Sequence, residues 1–92
     1  MTKQLQTSTL DCYFHMEGSV WVTKAAQFEV LVWYQPHNDL WYWSLKAAGQ
    51  GTNCQWAKTR EGAQQDALCC TRGTPGLSLA EVQACLERER RG

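Results

Sequence analysis

The chain has 92 residues, enough for one domain and little more. Nine Lys and Arg balance nine Asp and Glu, so the chain has neither the cation excess of a duplex-DNA binder nor the anion excess of a DNA mimic. An apolar share of 43% with 20% charged residues excludes wholesale disorder, and five tryptophans in so short a chain demand a structural or binding role.

Residues 1–9 are polar and are expected to be loose. They lack the apolar core of a signal peptide, and no run of about 18 apolar residues follows, which points to a cytoplasmic protein with no membrane association. Leu10, Cys12, Phe14 and Met16 then alternate with Asp11, Tyr13, His15 and Glu17, the period of a half-buried strand. Gly18-Ser19 signals a turn, and Val20-Trp21-Val22-Thr23 reads as a short second strand. Lys24-Ala25-Ala26 is a bulge or a bend.

The clearest segment is Gln27 to Tyr34, a strong strand, joined through the turn formers Pro36-His37-Asn38-Asp39 to a further strand from Leu40 to Ala47. A four-residue loop sets Gln35 opposite Leu40. Tyr34, Val32, Val30 and Phe28 then oppose Trp41, Trp43, Leu45 and Ala47 on one face. Trp33, Leu31 and Glu29 oppose Tyr42, Ser44 and Lys46 on the other. A slip of one residue would put Glu29 beside Leu45 on a buried face, so this register is preferred. Gly49-Gln50-Gly51 turns the chain again into a shorter strand, Asn53 to Lys58. A four-residue connection would place Cys54 opposite Leu45 and Trp56 opposite Trp43, adding both to the core face.

Thr59 is a good N-cap. Glu61 and Asp66 in the early turns and Arg72 near the end suit a helix dipole, and Ala63, Ala67 and Cys70 make a narrow small-residue stripe for close packing on the sheet. Gly73 and Pro75-Gly76 stop this helix. Ser78 to Glu81 is a capping box opening a second helix, with Leu79, Val82, Cys85 and Leu86 as its apolar stripe. The expected fold is therefore α+β: one domain over 1–92, with an antiparallel sheet of four or five strands over 10–58 and two C-terminal helices over 59–91 packed on one face.

Five cysteines, two of them adjacent, are an odd number for a disulfide framework and read as reduced thiols serving as small apolar side chains. No Cys-x-x-Cys pair occurs, and neither His15 nor His37 lies at zinc-ligand spacing from a cysteine, so no metal and no cofactor are expected. A phosphate-cradling loop, a nucleophile elbow and a zinc-protease motif are all missing from the sequence, and the carboxylates are scattered. A binding role is expected rather than catalysis.

The candidates for that role are the outer residues of the hairpin, Trp33, Tyr42 and Leu31, with Lys46 beside them, and the basic residues of the tail, Arg88, Arg90 and Arg91. The outer set, with Leu40, is either an exposed partner surface or the underside of the N-terminal strands folded over it. The tail is either a solvated helix end or a small basic contact.

The Trp-rich hairpin, the third strand ending in Cys54-Gln55-Trp56-Ala57-Lys58, and Thr59-Arg60-Glu61-Gly62-Ala63 opening a helix resemble the small proteins encoded by phages and mobile elements. Among these the chain most resembles the anti-CRISPR proteins, and within them those acting on type I-F surveillance complexes. The resemblance covers residues 27–91 and rests on size, neutral charge, reduced cysteines and the sheet-plus-helix plan. It implies a non-enzymatic inhibitor in the host cytoplasm that binds a protein or ribonucleoprotein complex and blocks target DNA. The alternative is a small single-strand nucleic-acid binder stacking bases on Trp33 and Tyr42.

Overall fold

A computed structural model describes residues 8–25, 27–47, 51–71 and 78–91. Five strands, β1 (His15–Glu17), β2 (Val20–Ala25), β3 (Phe28–Gln35), β4 (Leu40–Ala47) and β5 (Gly51–Ala57), are followed by two helices, α1 (Arg60–Thr71) and α2 (Leu79–Arg91). The strands form one antiparallel sheet in sequence order. This is the expected α+β plan, at the five-strand end of its range. α1 lies against β3, β4 and β5 on one face, and α2 packs against α1.

The central hairpin has the expected register throughout, from Gln35 opposite Leu40 to Phe28 opposite Ala47. The turn at 36–39 closes with Asp39 at φ 58°, a left-handed conformation that aspartate tolerates better than most residues. Its carboxylate accepts a hydrogen bond from Tyr34 Oη at 2.6 Å, which holds the Tyr34 phenol above its ordinary pKa. On the inner face Val30, Val32, Trp41, Trp43 and Leu45 are buried together with Ala63 and Ala67 of α1. The alanines are what let a helix backbone come this close to a surface of indole rings. A second cluster joins Leu10 to Leu68, Cys69, Val82 and Leu86 of the two helices, and Phe14 touches both clusters.

Both helix starts are capped as expected. Thr59 Oγ1 accepts from the Gly62 amide at 3.0 Å, and Ser78 and Glu81 exchange reciprocal side-chain bonds to backbone amides at 2.9 and 3.2 Å. Arg72, Gly73 and the Pro75-Gly76 stop lie outside the described residues.

Four expectations are corrected. The strand expected from Leu10 shrinks to His15–Glu17, because Asp11–Tyr13 forms a single 3₁₀ turn. That turn lets Leu10 reach the helices and aims Asp11 at α1. Of the segment expected to be loose, residues 1–7 lie outside the described residues, but Ser8 and Thr9 are tied to α1. Ser8 Oγ donates to Gln64 Oε1 at 2.5 Å, and the amide and hydroxyl of Thr9 both donate to Glu61 Oε2, at 2.8 and 2.7 Å. The β4–β5 pairing is offset by one residue from the expected register: Ala47 opposes Gly51, Trp43 opposes Gln55 and Tyr42 opposes Trp56. The connection is thus one residue shorter than assumed, and Trp56 and Cys54 move to the outer face. Finally, only Cys69 is buried; Cys70 and Cys85 are half-buried, and Cys12 and Cys54 are exposed free thiols.

The first turns of α1 carry a buried polar knot. Arg60 is 4% exposed. Its guanidinium meets Asp11 in a two-pronged contact, Nε to Oδ1 at 3.1 Å and Nη2 to Oδ2 at 2.8 Å. It also lies over the rings of Trp21 (4.6 Å) and Trp41 (5.4 Å), and Gln64 Nε2 donates to Asp11 Oδ1 at 2.9 Å. A cation in the first turn opposes the helix dipole, so Arg60 is held there by its partners.

Candidate functional site: the outer face of the sheet

Because strand residues alternate between faces, the registers assign the outer face row by row. One row crosses the whole sheet: Glu17, Val20, Trp33, Tyr42 and Trp56 are successive cross-strand partners on β1 to β5. Three adjacent members of that row are aromatic. Trp33 and Tyr42 stack with ring centroids 6.0 Å apart and planes 19° from parallel. Trp56 stands beside Tyr42 and is 55% exposed. Asn38 Nδ2 donates to Tyr42 Oη at 2.9 Å, so the turn orients the central ring. Leu40 lies on the turn side of this row, beside Tyr42.

The next row is His15, Val22, Leu31, Ser44 and Cys54, in which Val22 is fully buried and Leu31 half-buried. The third row holds Lys24, Glu29, Lys46 and Thr52. Charges on the face cancel locally. Lys24 Nζ lies 3.5 Å from Glu29 and 3.9 Å from Glu17. Glu17 is also 2.7 Å from His15 Nε2, and that hydrogen bond, followed by the Lys24 charge, holds its carboxyl below the ordinary carboxylate range. Lys46 stands opposite Glu29 as expected, while the Glu29 carboxylate turns to Lys24.

No described helix lies on this face, since α1 and its buried residues all meet the inner one. The N-terminal strands extend the sheet at its edge and do not fold over the aromatic row. The face therefore presents a band of aromatic and aliphatic side chains with little net charge. That composition suits desolvation against another surface, with the ring edges and the Tyr42 hydroxyl supplying orientation.

Of the residues singled out from the sequence, Trp33, Tyr42, Leu31 and Lys46 share this face. Arg88 does not: it is exposed on α2, in the helical layer, with Nη2 3.3 Å from Cys85 Sγ. Arg90 and Arg91 close α2, and their side chains lie outside the described residues. Arg88 and the aromatic candidates thus lie on separate surfaces. Sequence reading missed Trp56 and Val20. The missed signal for Val20 was its place one strand over from Trp33; for Trp56 the register itself was the missing information. Among the described residues no three His, Cys, Asp or Glu side chains gather to hold a metal ion, and no helix is long and apolar enough to cross a membrane. Comparison with known protein families, with curated proteins and with solved structures returns no match.

Proposed function

We propose that this chain is a non-enzymatic binding domain that docks a protein or ribonucleoprotein partner on the outer sheet face and acts by occupying it. The observation that carries the reading is the Trp33–Tyr42–Trp56 row, three aromatic side chains on adjacent strands that the helical layer leaves uncovered. Large uncovered aromatic patches on small domains are characteristic of partner surfaces, and Trp and Tyr anchors dominate binding energy where they become fully desolvated. With the resemblance to anti-CRISPR proteins, the partner is a CRISPR surveillance complex of type I-F and the effect is stoichiometric obstruction of target DNA.

The test is a titration of the protein into a fixed amount of type I-F surveillance complex with labelled target DNA. DNA binding should fall to a plateau at a fixed molar ratio, and the variant Trp33→Ala/Trp56→Ala should bind weaker by about 2–4 kcal/mol. Unchanged DNA binding at excess protein refutes the surveillance-complex reading. Loss of DNA binding at far substoichiometric protein refutes obstruction by occupancy.

A second reading, a single-strand nucleic-acid binder, is favoured by the same row, since aromatic rings on adjacent strands are a base-stacking platform. The paired charges of Lys24, Glu17 and Glu29 weigh against it, because a stacking groove tracks the phosphates with unpaired cations. Quenching of tryptophan fluorescence by an oligothymidylate, lost in added salt, would identify this reading instead.

A further inference from the structure

The two edges of the sheet are built differently. β1 is three residues long and ends in Glu17, whose carboxylate is joined to His15 and Lys24. A short, charged strand is how natural sheets deter edge-to-edge pairing. β5, at the opposite edge, has none of these devices. It runs for seven residues, Gly51–Ala57, in unbroken register with β4, without a bulge, a proline or a charged residue. Thr52, Asn53, Cys54, Gln55 and Trp56 are all exposed. Among the described residues no strand pairs with its outer side, so its outward backbone N–H and C=O groups form a template for one more strand.

We propose that the strand filling this edge is β5 of a second copy of the chain, paired antiparallel across a two-fold axis so that the two sheets become one. The sequence of β5 fits itself. A two-fold axis perpendicular to the sheet keeps the outer face outermost in both copies, so outer residues must oppose outer residues. Full overlap of Gly51–Ala57 with its own copy meets that condition with Cys54, the middle residue of the strand, on the axis. Thr52 then opposes Trp56 of the other copy, a β-branched residue against an aromatic one, and Asn53 opposes Gln55, amide against amide. No like charges meet, because the strand has none. An isologous contact of this kind closes at two copies and leaves no free β5 edge. Both aromatic rows stay on the same outer face, and Trp56 belongs to the row and to the pairing alike.

The experiment measures the molar mass of the full chain in solution by light scattering across the micromolar range, and cross-links a Cys12→Ser/Cys70→Ser/Cys85→Ser variant with a short bis-maleimide. Mass should rise from one chain to two with concentration, and the cross-linked species should be a dimer joined through Cys54. Asn53→Lys/Gln55→Lys, which sets lysine opposite lysine across the axis on exposed positions, should return the mass to one chain with the circular dichroism spectrum unchanged. A chain that stays single over the whole range overturns the proposal. A dimer whose Cys54 thiols do not cross-link, or that survives Asn53→Lys/Gln55→Lys, overturns it as well, by placing the interface elsewhere.

Discussion

Replacing Asp11 by Ala removes a carboxylate that meets, in a two-pronged contact, a guanidinium that is 4% exposed. The Arg60 cation would keep its two indole rings but lose two charge-assisted hydrogen bonds, and Gln64 would lose an acceptor. Stripping one partner from a buried pair costs about 3–5 kcal/mol, because the remaining charge stays desolvated. The Asp11 side chain is itself 26% exposed, so water can take up part of its role, and the lower end, about 3 kcal/mol, is expected. With an unfolding entropy of about 2.1 cal/mol/K per residue, a chain of this length has roughly 190 cal/mol/K, and 3 kcal/mol becomes a drop in Tm of about 15 °C. Thermal unfolding followed by circular dichroism measures it. Asp11→Ala/Arg60→Met should melt above Asp11→Ala alone, since no buried charge remains. An Asp11→Ala protein melting within about 4 °C of the parent, less than 1 kcal/mol, would refute the account of the knot.

Three further outcomes are expected. Trp43→Ala should cost about 3–5 kcal/mol in denaturant unfolding as a large core truncation, whereas Trp56→Ala should stay within about 0.5 kcal/mol, separating the two indoles that simple alternation would pair. Thr59→Ala should cost about 1 kcal/mol and speed amide exchange in the first turn of α1. Glu61 is held below its ordinary value of 4.5, first by the Thr9 hydroxyl and then by the Thr9 amide. Its contribution is therefore complete above the unfolded value and is lost as pH falls through the lowered folded one. The Thr9 amide signal in NMR should shift over that acid range in the parent and not in Glu61→Gln.

The central hairpin was legible because two independent signals agree on it. The turn formers at 36–39 fix the loop, and apolar alternation on both strands rejects a slip. β5 lacked the first and was misled by the second. Its Asn53, Cys54, Gln55 and Trp56 alternate polar with apolar, which argues for Cys54 and Trp56 on the core face, and the glycine-flanked connection accepts three residues as readily as four. The sheet settles it the other way, leaving the polar pair exposed and giving Trp56 to the aromatic row. At the N-terminus, alternation over Leu10–Glu17 was real but was overridden by two long-range partners, the helices for Leu10 and Arg60 for Asp11. The clue to the second was a cation at the dipole-disfavoured end of α1, opposite in sign to Glu61 beside it.

The strictly sequential sheet has a consequence for how the protein is made. Each strand meets its partner as soon as the next one leaves the ribosome, so β1 to β5 can assemble hairpin by hairpin with short loops to close. The Asp11–Arg60 contact spans 49 residues and must wait for α1. Until then Trp21 and Trp41 face solvent without the guanidinium between them. The nascent sheet is thus sticky on both sides for as long as translation of the next dozen residues takes, and the helix that arrives last both covers one side and draws the N-terminal segment down onto itself. A nascent chain released from the exit tunnel only as far as residue 59, with α1 still inside, would expose a five-stranded sheet with no finished face, the state in which this chain is most in need of a chaperone.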